Sequence, residues 1–296
     1  MASRRALLAA AIPAVAGIVV NNSWNHARAQ GQSSFEQKLA ELEKKSGGRL
    51  GVALLDTATG TQAGHRRDEQ FPMCSTFKLL AVAAVLARAD RHEEQLDRII
   101  HVQQSELMAY SPITKTRVGN QGMSVKELCA AAMTMSDNTA ANLLIASIGG
   151  PAGFTSFART LGDNQTRLDR IEPDLNEGIP GDPRDTTTPQ SMLSDLNKLV
   201  LGNALSPSSR TLFNEWLIEN KTGDKRLRAG LPSTWKIGDK TGSGDHGTTN
   251  DVAIAWPPGR QPILAAVYLT GSSLNSDRRE QIVAEVGRVI ATAVQT

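Results

Sequence analysis

The chain is predicted to be an α/β (α+β) protein: an antiparallel sheet flanked by helices, plus an all-α lobe, with the active site in the cleft between the two. Two observations carry this expectation. Runs of β-type apolar residues occur near both ends of the sequence, and between Ser75 and about Asn220 the pattern is Ala/Leu-rich and helical. Strands split between the two ends must meet in one sheet to bury their apolar faces, which makes the helical middle an insertion. The expected division is residues 30–66 with 218–296 as a discontinuous α/β lobe, and 67–217 as the all-α lobe.

In order, "SSFEQKLAELEKKSGG" has Phe35, Leu39 and Leu42 at helical spacing, Ser34 as a possible cap and Gly47-Gly48 as a stop. "RLGVALLDTATGTQAGHR" reads as a β-hairpin around a Thr/Gly turn. Helices are expected near 77–90, 124–135, 138–148, 151–161, 189–202 and 206–219, several of them with Ser, Asp, Pro or Gly at their ends. The β pattern returns in "TWKIGDKTG", "NDVAIAWPP" and "PILAAVYLTG", each a short run bounded by Gly or Pro. "SDRREQIVAEVGRVIATAV" closes the chain as an amphipathic helix.

The first 29 residues read as an export signal rather than as fold. Arg4 and Arg5 precede an apolar stretch broken by Pro13 and Gly17, and Ala27-Arg28-Ala29 offers a small-residue cleavage site. The stretch fits a Sec signal, and "SRRALL" also resembles the twin-arginine pattern. The expected destination is the periplasm or the medium, with no stable membrane anchor. This segment carries three arginines and no acid, so its removal turns the formal +2 of the full chain slightly negative. A near-neutral chain without a basic run gives no support for nucleic-acid binding.

Cys74 and Cys129 allow a disulfide by parity in an oxidising compartment. They fall in different helical patterns, and the expectation is two buried free thiols. The five histidines are scattered, with no CxxC or HExxH, so neither a metal nor a cofactor is expected. Gly242 to Gly247 satisfies GxGxxG, but "TTNDVAIAW" after it reads as a strand where a dinucleotide site needs a helix.

The chemistry begins at "CSTFK". Taken alone, these residues are most economically a helix start, with Ser75 or Thr76 as the cap and Lys78 reaching water. Yet positions three apart on a helix are neighbours, so the Lys78 amine can reach the Ser75 hydroxyl. Burial would push that amine towards its neutral, proton-accepting form. "MSDNTAANLL" places Ser136, Asp137 and Asn138 at another helix head, where capping is again the simpler reading. "GDKTGSGDHG" places Lys240, Thr241 and Ser243 on a strand ending in glycines. Each is weak alone; the ordered set is specific.

With these motifs the sequence resembles the class A β-lactamases, whose serine, SDN and KTG set is shared with penicillin-binding proteins. The resemblance runs from "LGVALLDTATG" through "RIEPDLNEGIPGDPRDTT" to the last helix. It implies a fold of the β-lactamase and penicillin-binding transpeptidase type. It also implies Ser75 as the acylated nucleophile and Lys78 as its proton partner. Ser136 would relay a proton to the leaving nitrogen, and Lys240 would orient Ser136 and attract the substrate carboxylate. Backbone N–H groups of Ser75 and Ser243 would form the oxyanion hole. Asn138, Thr241, Ser243, Tyr110 and Arg226 would bind substrate. Glu172 and Asn176, on an Ω-loop over 167–185 closed by an Arg170–Asp185 pair, would position the deacylating water, with a cis bond at Glu172-Pro173. The family's carbapenemases bridge the counterpart of Cys74 to a cysteine where this chain has Gly244. Other members bridge the counterpart of Cys129 to a cysteine where this chain has Val82. Both departures imply free thiols here and argue against strong carbapenemase activity.

The implied activity is hydrolysis of the β-lactam amide of penicillins and cephalosporins, a small-molecule substrate, by a cofactor-free monomer. The competing readings are a D-Ala-D-Ala carboxypeptidase or transpeptidase, and a β-lactam sensor that stays acylated. Glu172 separates them, because a serine ester is shed only when a base deprotonates a water within reach.

Overall fold

The computed structural model describes the backbone of residues 23–119 and 122–295. The expected leader therefore lies outside the described residues as far as position 22. Helix α1 (Ser23–Ser46) starts upstream of Ser34, which lies inside the helix instead of capping it. Phe35, Leu39 and Leu42 are buried as their spacing predicts, and Gly47 ends the helix with φ 65°. The hairpin follows as β1 (Arg49–Asp56) and β2 (Thr61–His65), and then β3 (Phe71–Pro72).

A 3-10 turn at Cys74–Thr76 leads into α2 (Phe77–Asp90). Neither Ser75 nor Thr76 caps this helix with its side chain, so the economical reading of "CSTFK" fails. Every residue from Phe77 to Ala87 is buried, as expected of a helix apolar on all sides at the centre of a lobe. Around it lie β4 (Ile99–Ile100), β5 (Met123–Ser124), α3 (Val125–Thr134), α4 (Asn138–Ser147) and α5 (Gly150–Thr160). Then come β6 (Thr186–Thr187), α6 (Pro189–Val200) and α7 (Pro207–Ile218). The helix starts were legible: Ser124 and Glu127 form a capping box, Asp137 caps α4, and Thr188-Pro189 and Ser206-Pro207 open α6 and α7.

After the single turn α8 (Leu227–Gly230), the chain forms β7 (Lys236–Gly244), β8 (Thr248–Trp256), β9 (Ile263–Thr270) and α9 (Ser276–Gln295). The sheet order is β2-β1-β9-β8-β7 with antiparallel neighbours, so both ends of the chain do share one sheet. The period of two sorts its side chains. Leu50, Val52, Leu54, Val267 and Leu269 pack with α1 and α9, whereas Ala53, Val252, Ile254, Ala266 and Tyr268 join the core around α2. Each Leu or Val so buried is worth about 1.5–3 kcal/mol. Strand β7 is the sheet edge facing the helices.

The helical core also holds a carboxyl pair, Asp163 and Asp195, both buried, with Arg159 and Lys198 as the nearby cations. Burial and the Asp163 charge push Asp195 up to about 9, whereas Asp163, despite its burial, is held below its ordinary value by hydrogen bonds from Thr166 and from the N–H of Gln165. Folded Asp195 thus keeps a proton that the unfolded chain loses near pH 4. Stability is therefore lost as pH rises from about 4 to about 9, by at most about 1.4 kcal/mol per pH unit. Asp195→Asn removes the titration: the wild-type Tm is expected to fall relative to the variant between pH 5 and pH 8 in thermal melts. A pH-independent gap would contradict this.

Candidate active site

The buried start of α2 places Ser75 and Lys78 on one side of the helix, facing the head of α4. Lys78 Nζ donates to Ser75 Oγ at 2.9 Å and lies 2.9 Å from Glu172 Oε1. It also meets the Ser136 carbonyl oxygen at 2.8 Å, Ser136 Oγ at 3.3 Å and Asn138 Oδ1 at 2.6 Å. An ammonium has three N–H groups for these five oxygens, so they share its donors. Lys78 is 0% exposed, and burial pushes its pKa down against the opposing pull of Glu172.

Ser136 has φ 56°, a strained value that turns its side chain from the end of α3 towards both lysines. Lys240 Nζ donates to Ser136 Oγ at 3.0 Å and to the Thr241 carbonyl at 2.9 Å. Burial and the neighbouring Lys78 charge hold Lys240 well below its ordinary value. Asp137 points away: its carboxylate accepts from the N–H groups of Ile113, Thr114 and Ala140 and from the Thr114 hydroxyl. It ties the Tyr110 loop to the head of α4, where the Asn138 N–H donates to the Tyr110 carbonyl at 3.0 Å. The Tyr110 side chain is half exposed.

Glu172, 2% exposed, reaches Ser75 Oγ at 3.3 Å with one oxygen and accepts from Asn176 Nδ2 with the other. The Glu172-Pro173 bond is cis. The loop is closed by Asp185, which accepts from Arg170 Nε at 2.6 Å and from the N–H groups of Asp169 and Arg170. Arg170 also pairs with Glu177. Asn142 clamps the Glu172 backbone at both its N–H and its carbonyl, each at 3.0 Å. The sequence reading missed Asn142, although it lies one helical turn after Asn138 on the same face.

Strand β7 closes the other wall. A Cβ on Gly242 would lie 2.8 Å from the Met73 carbonyl oxygen and 3.1 Å from the Thr76 nitrogen, so glycine lets this strand press against the turn bearing Ser75. A Cβ on Gly244 would lie 2.5 Å from Cys74 Sγ. Cys74 and Cys129 are free and buried, and burial raises both thiols far above their ordinary value. Arg226, expected to bind substrate, is held by the backbone of β7 and β8. It is 6% exposed, and its guanidinium donates to the carbonyls of Gly242 and Asn250, at 2.8 Å each, and to Ser243 Oγ at 2.7 Å. Arginine only donates, so Ser243 accepts there and keeps its own hydrogen free. Position 242–247 joins two strands, β7 and β8, which removes the dinucleotide decoy.

A serine hydroxyl between a buried amine and a buried carboxylate, at the foot of a sheet edge, defines a serine hydrolase of the acyl-transfer type. Residues 34–294 match the model of the β-lactamase enzyme family. The chain is 50% identical over 258 residues to β-lactamase CTX-M-8 of Citrobacter amalonaticus, covering 87% of this chain and 88% of that one. It is 46% identical over 287 residues to β-lactamase Toho-1 of Escherichia coli, covering 97% of each. Among solved structures, an ancestral (GNCA) class A β-lactamase superposes with TM-score 0.86 at 61% identity, covering 88% of this chain and 99% of that one. The chain belongs to the β-lactamase enzyme family, and its kinship is with class A.

Proposed function

We propose that the protein hydrolyses the β-lactam amide of penicillins and cephalosporins through an acyl-enzyme on Ser75, and so confers β-lactam resistance. The observation that carries this is Ser75 Oγ lying 2.9 Å from Lys78 Nζ and 3.3 Å from Glu172 Oε1. On attack, the serine proton passes to the Lys78–Glu172 pair. The oxyanion is received by the backbone N–H groups of Ser75 and Ser243. As the C–N bond breaks, Ser136 gives its proton to the leaving nitrogen and is resupplied through the lysines beside it. Lys240, Thr241 and Ser243 hold the substrate carboxylate, with Arg226 acting behind Ser243. Asn138 takes the side-chain amide and Tyr110 walls the cleft.

Deacylation needs a water held against Glu172. Asn176 Oδ1 is buried and has no hydrogen-bond partner among the described residues, which suits it to accept from that water. The same feature speaks for turnover over a carboxypeptidase or a sensor that stays acylated. The cleft lies between the proposed lobes, 30–66 with 218–296 and 67–217. We take the protein to be exported and monomeric; among the described residues no helix is long and apolar enough to cross a membrane.

The test is to mix the protein with excess benzylpenicillin and follow ring opening by absorbance together with intact protein mass. Many turnovers with unmodified protein at the end are expected. One equivalent consumed, with the added mass retained, would refute the hydrolytic reading.

A further inference from the structure

Thr241, proposed above to hold the substrate carboxylate, has its hydroxyl hydrogen already committed elsewhere. The Thr222 N–H donates to Asn220 Oδ1 at 3.1 Å, which fixes the Asn220 amide with its oxygen towards Thr222; its nitrogen donates to Asp239 Oδ2 at 2.8 Å. Gly223 allows this turn to lie on Asp239, since a Cβ there would come 1.9 Å from Oδ2. Asn220 Oδ1 can only accept, so the Thr222 hydroxyl, 2.8 Å away, spends its single hydrogen on it. Thr241 Oγ1 lies 2.5 Å from Thr222 Oγ1, and with the Thr222 hydrogen spent, Thr241 must be the donor of that pair. The resting chain of hydrogens runs Thr241 to Thr222 to Asn220, and it leaves Thr241 only lone pairs for the cleft. Ser243 is set the opposite way by Arg226.

A carboxylate also only accepts. We propose that Thr222 is a positioning residue that works as a hydroxyl switch for carboxylate recognition, an inference that rests on the hydrolytic reading above. When the substrate carboxylate enters, the Thr241 hydrogen turns from Thr222 to the carboxylate. The Thr222 hydrogen turns from Asn220 to Thr241, and Asn220 Oδ1 keeps the Thr222 N–H. Two hydroxyl rotors turn and no proton changes owner. Thr241 then donates to the anion, and the Thr222–Asn220 hydrogen bond is given up to let it do so.

The test compares wild type, Thr222→Val, Thr222→Ser, Thr241→Val and the Thr222→Val/Thr241→Val pair on benzylpenicillin. Thr222→Val leaves the Thr241 hydrogen unclaimed before substrate arrives, so KM is expected to fall roughly threefold to tenfold, the worth of the one neutral hydrogen bond the switch gives up, with kcat little changed. Thr222→Ser restores KM, and Thr222→Val has no further effect once Thr241 is valine. An equal fall in the Thr241→Val background, or no fall in the wild-type background, overturns the switch. The same cycle read as the rate of acyl-enzyme formation by intact mass works even in a protein that acylates without turnover. Failure of the switch is thereby distinguished from failure of the hydrolytic reading.

Discussion

Glu172→Ala is expected to acylate on benzylpenicillin and stop there. The substitution removes the carboxylate that bonds Ser75 and Asn176, and with it the base proposed for the second step. Lys78 stays in place beside Ser75, and without the Glu172 charge its burial favours the neutral amine still more. Ring opening can therefore proceed while ester hydrolysis loses its proton acceptor. General-base assistance is worth about 10²–10⁴-fold, so turnover is expected to fall by about 10³-fold. Intact mass under steady state should show the acylated form predominating. Rapid multiple turnover by this variant would remove Glu172 from deacylation.

Asp137→Ala is expected to have the largest effect on stability. The Asp137 carboxylate is fully buried and satisfies three backbone N–H groups and one hydroxyl, from the Tyr110 loop and the first turn of α4. Alanine leaves those N–H groups buried without an acceptor, at a cost of about 3–5 kcal/mol. For a chain of this size that corresponds to a fall in Tm of about 5–10 °C, measured by calorimetry. Loss of the anchor also frees the loop that receives the Asn138 N–H, so KM for penicillins should rise in the folded fraction. A Tm change under about 2 °C would show that the loop is held by other contacts.

Much of this site could be read before folding. Ser75 and Lys78, Ser136 and Asn138, and Lys240 to Ser243 each form a short motif, because neighbours along a helix or strand point where local geometry sends them. Ser136 Oγ joins them, lying 3.3 Å from Lys78 Nζ and 3.0 Å from Lys240 Nζ, and that needs α2, α4 and β7 to pack. The start of α1 went wrong because Ser34 carries the local signature of a cap, while nothing local marks how far the helix continues upstream. Ser75 and Thr76 likewise look like caps, but Thr76 Oγ1 bonds the Met73 carbonyl at 2.8 Å instead.

Arg226 and Thr222 show where local reading ends. Both lie in the turn before α8, and no spacing rule ties them to β7. Only the tertiary structure seats the guanidinium between the carbonyls of Gly242 and Asn250, and the Thr222 hydroxyl between Asn220 and Thr241. The linear chain therefore decided the element types, their order and the short motifs that make up the candidate site, all set by periodicity and side-chain chemistry over a few residues. Folding decided which amine is driven towards neutrality and which hydroxyl holds a free hydrogen. Those states depend on burial and on a count of donors and acceptors drawn from segments up to about a hundred residues apart.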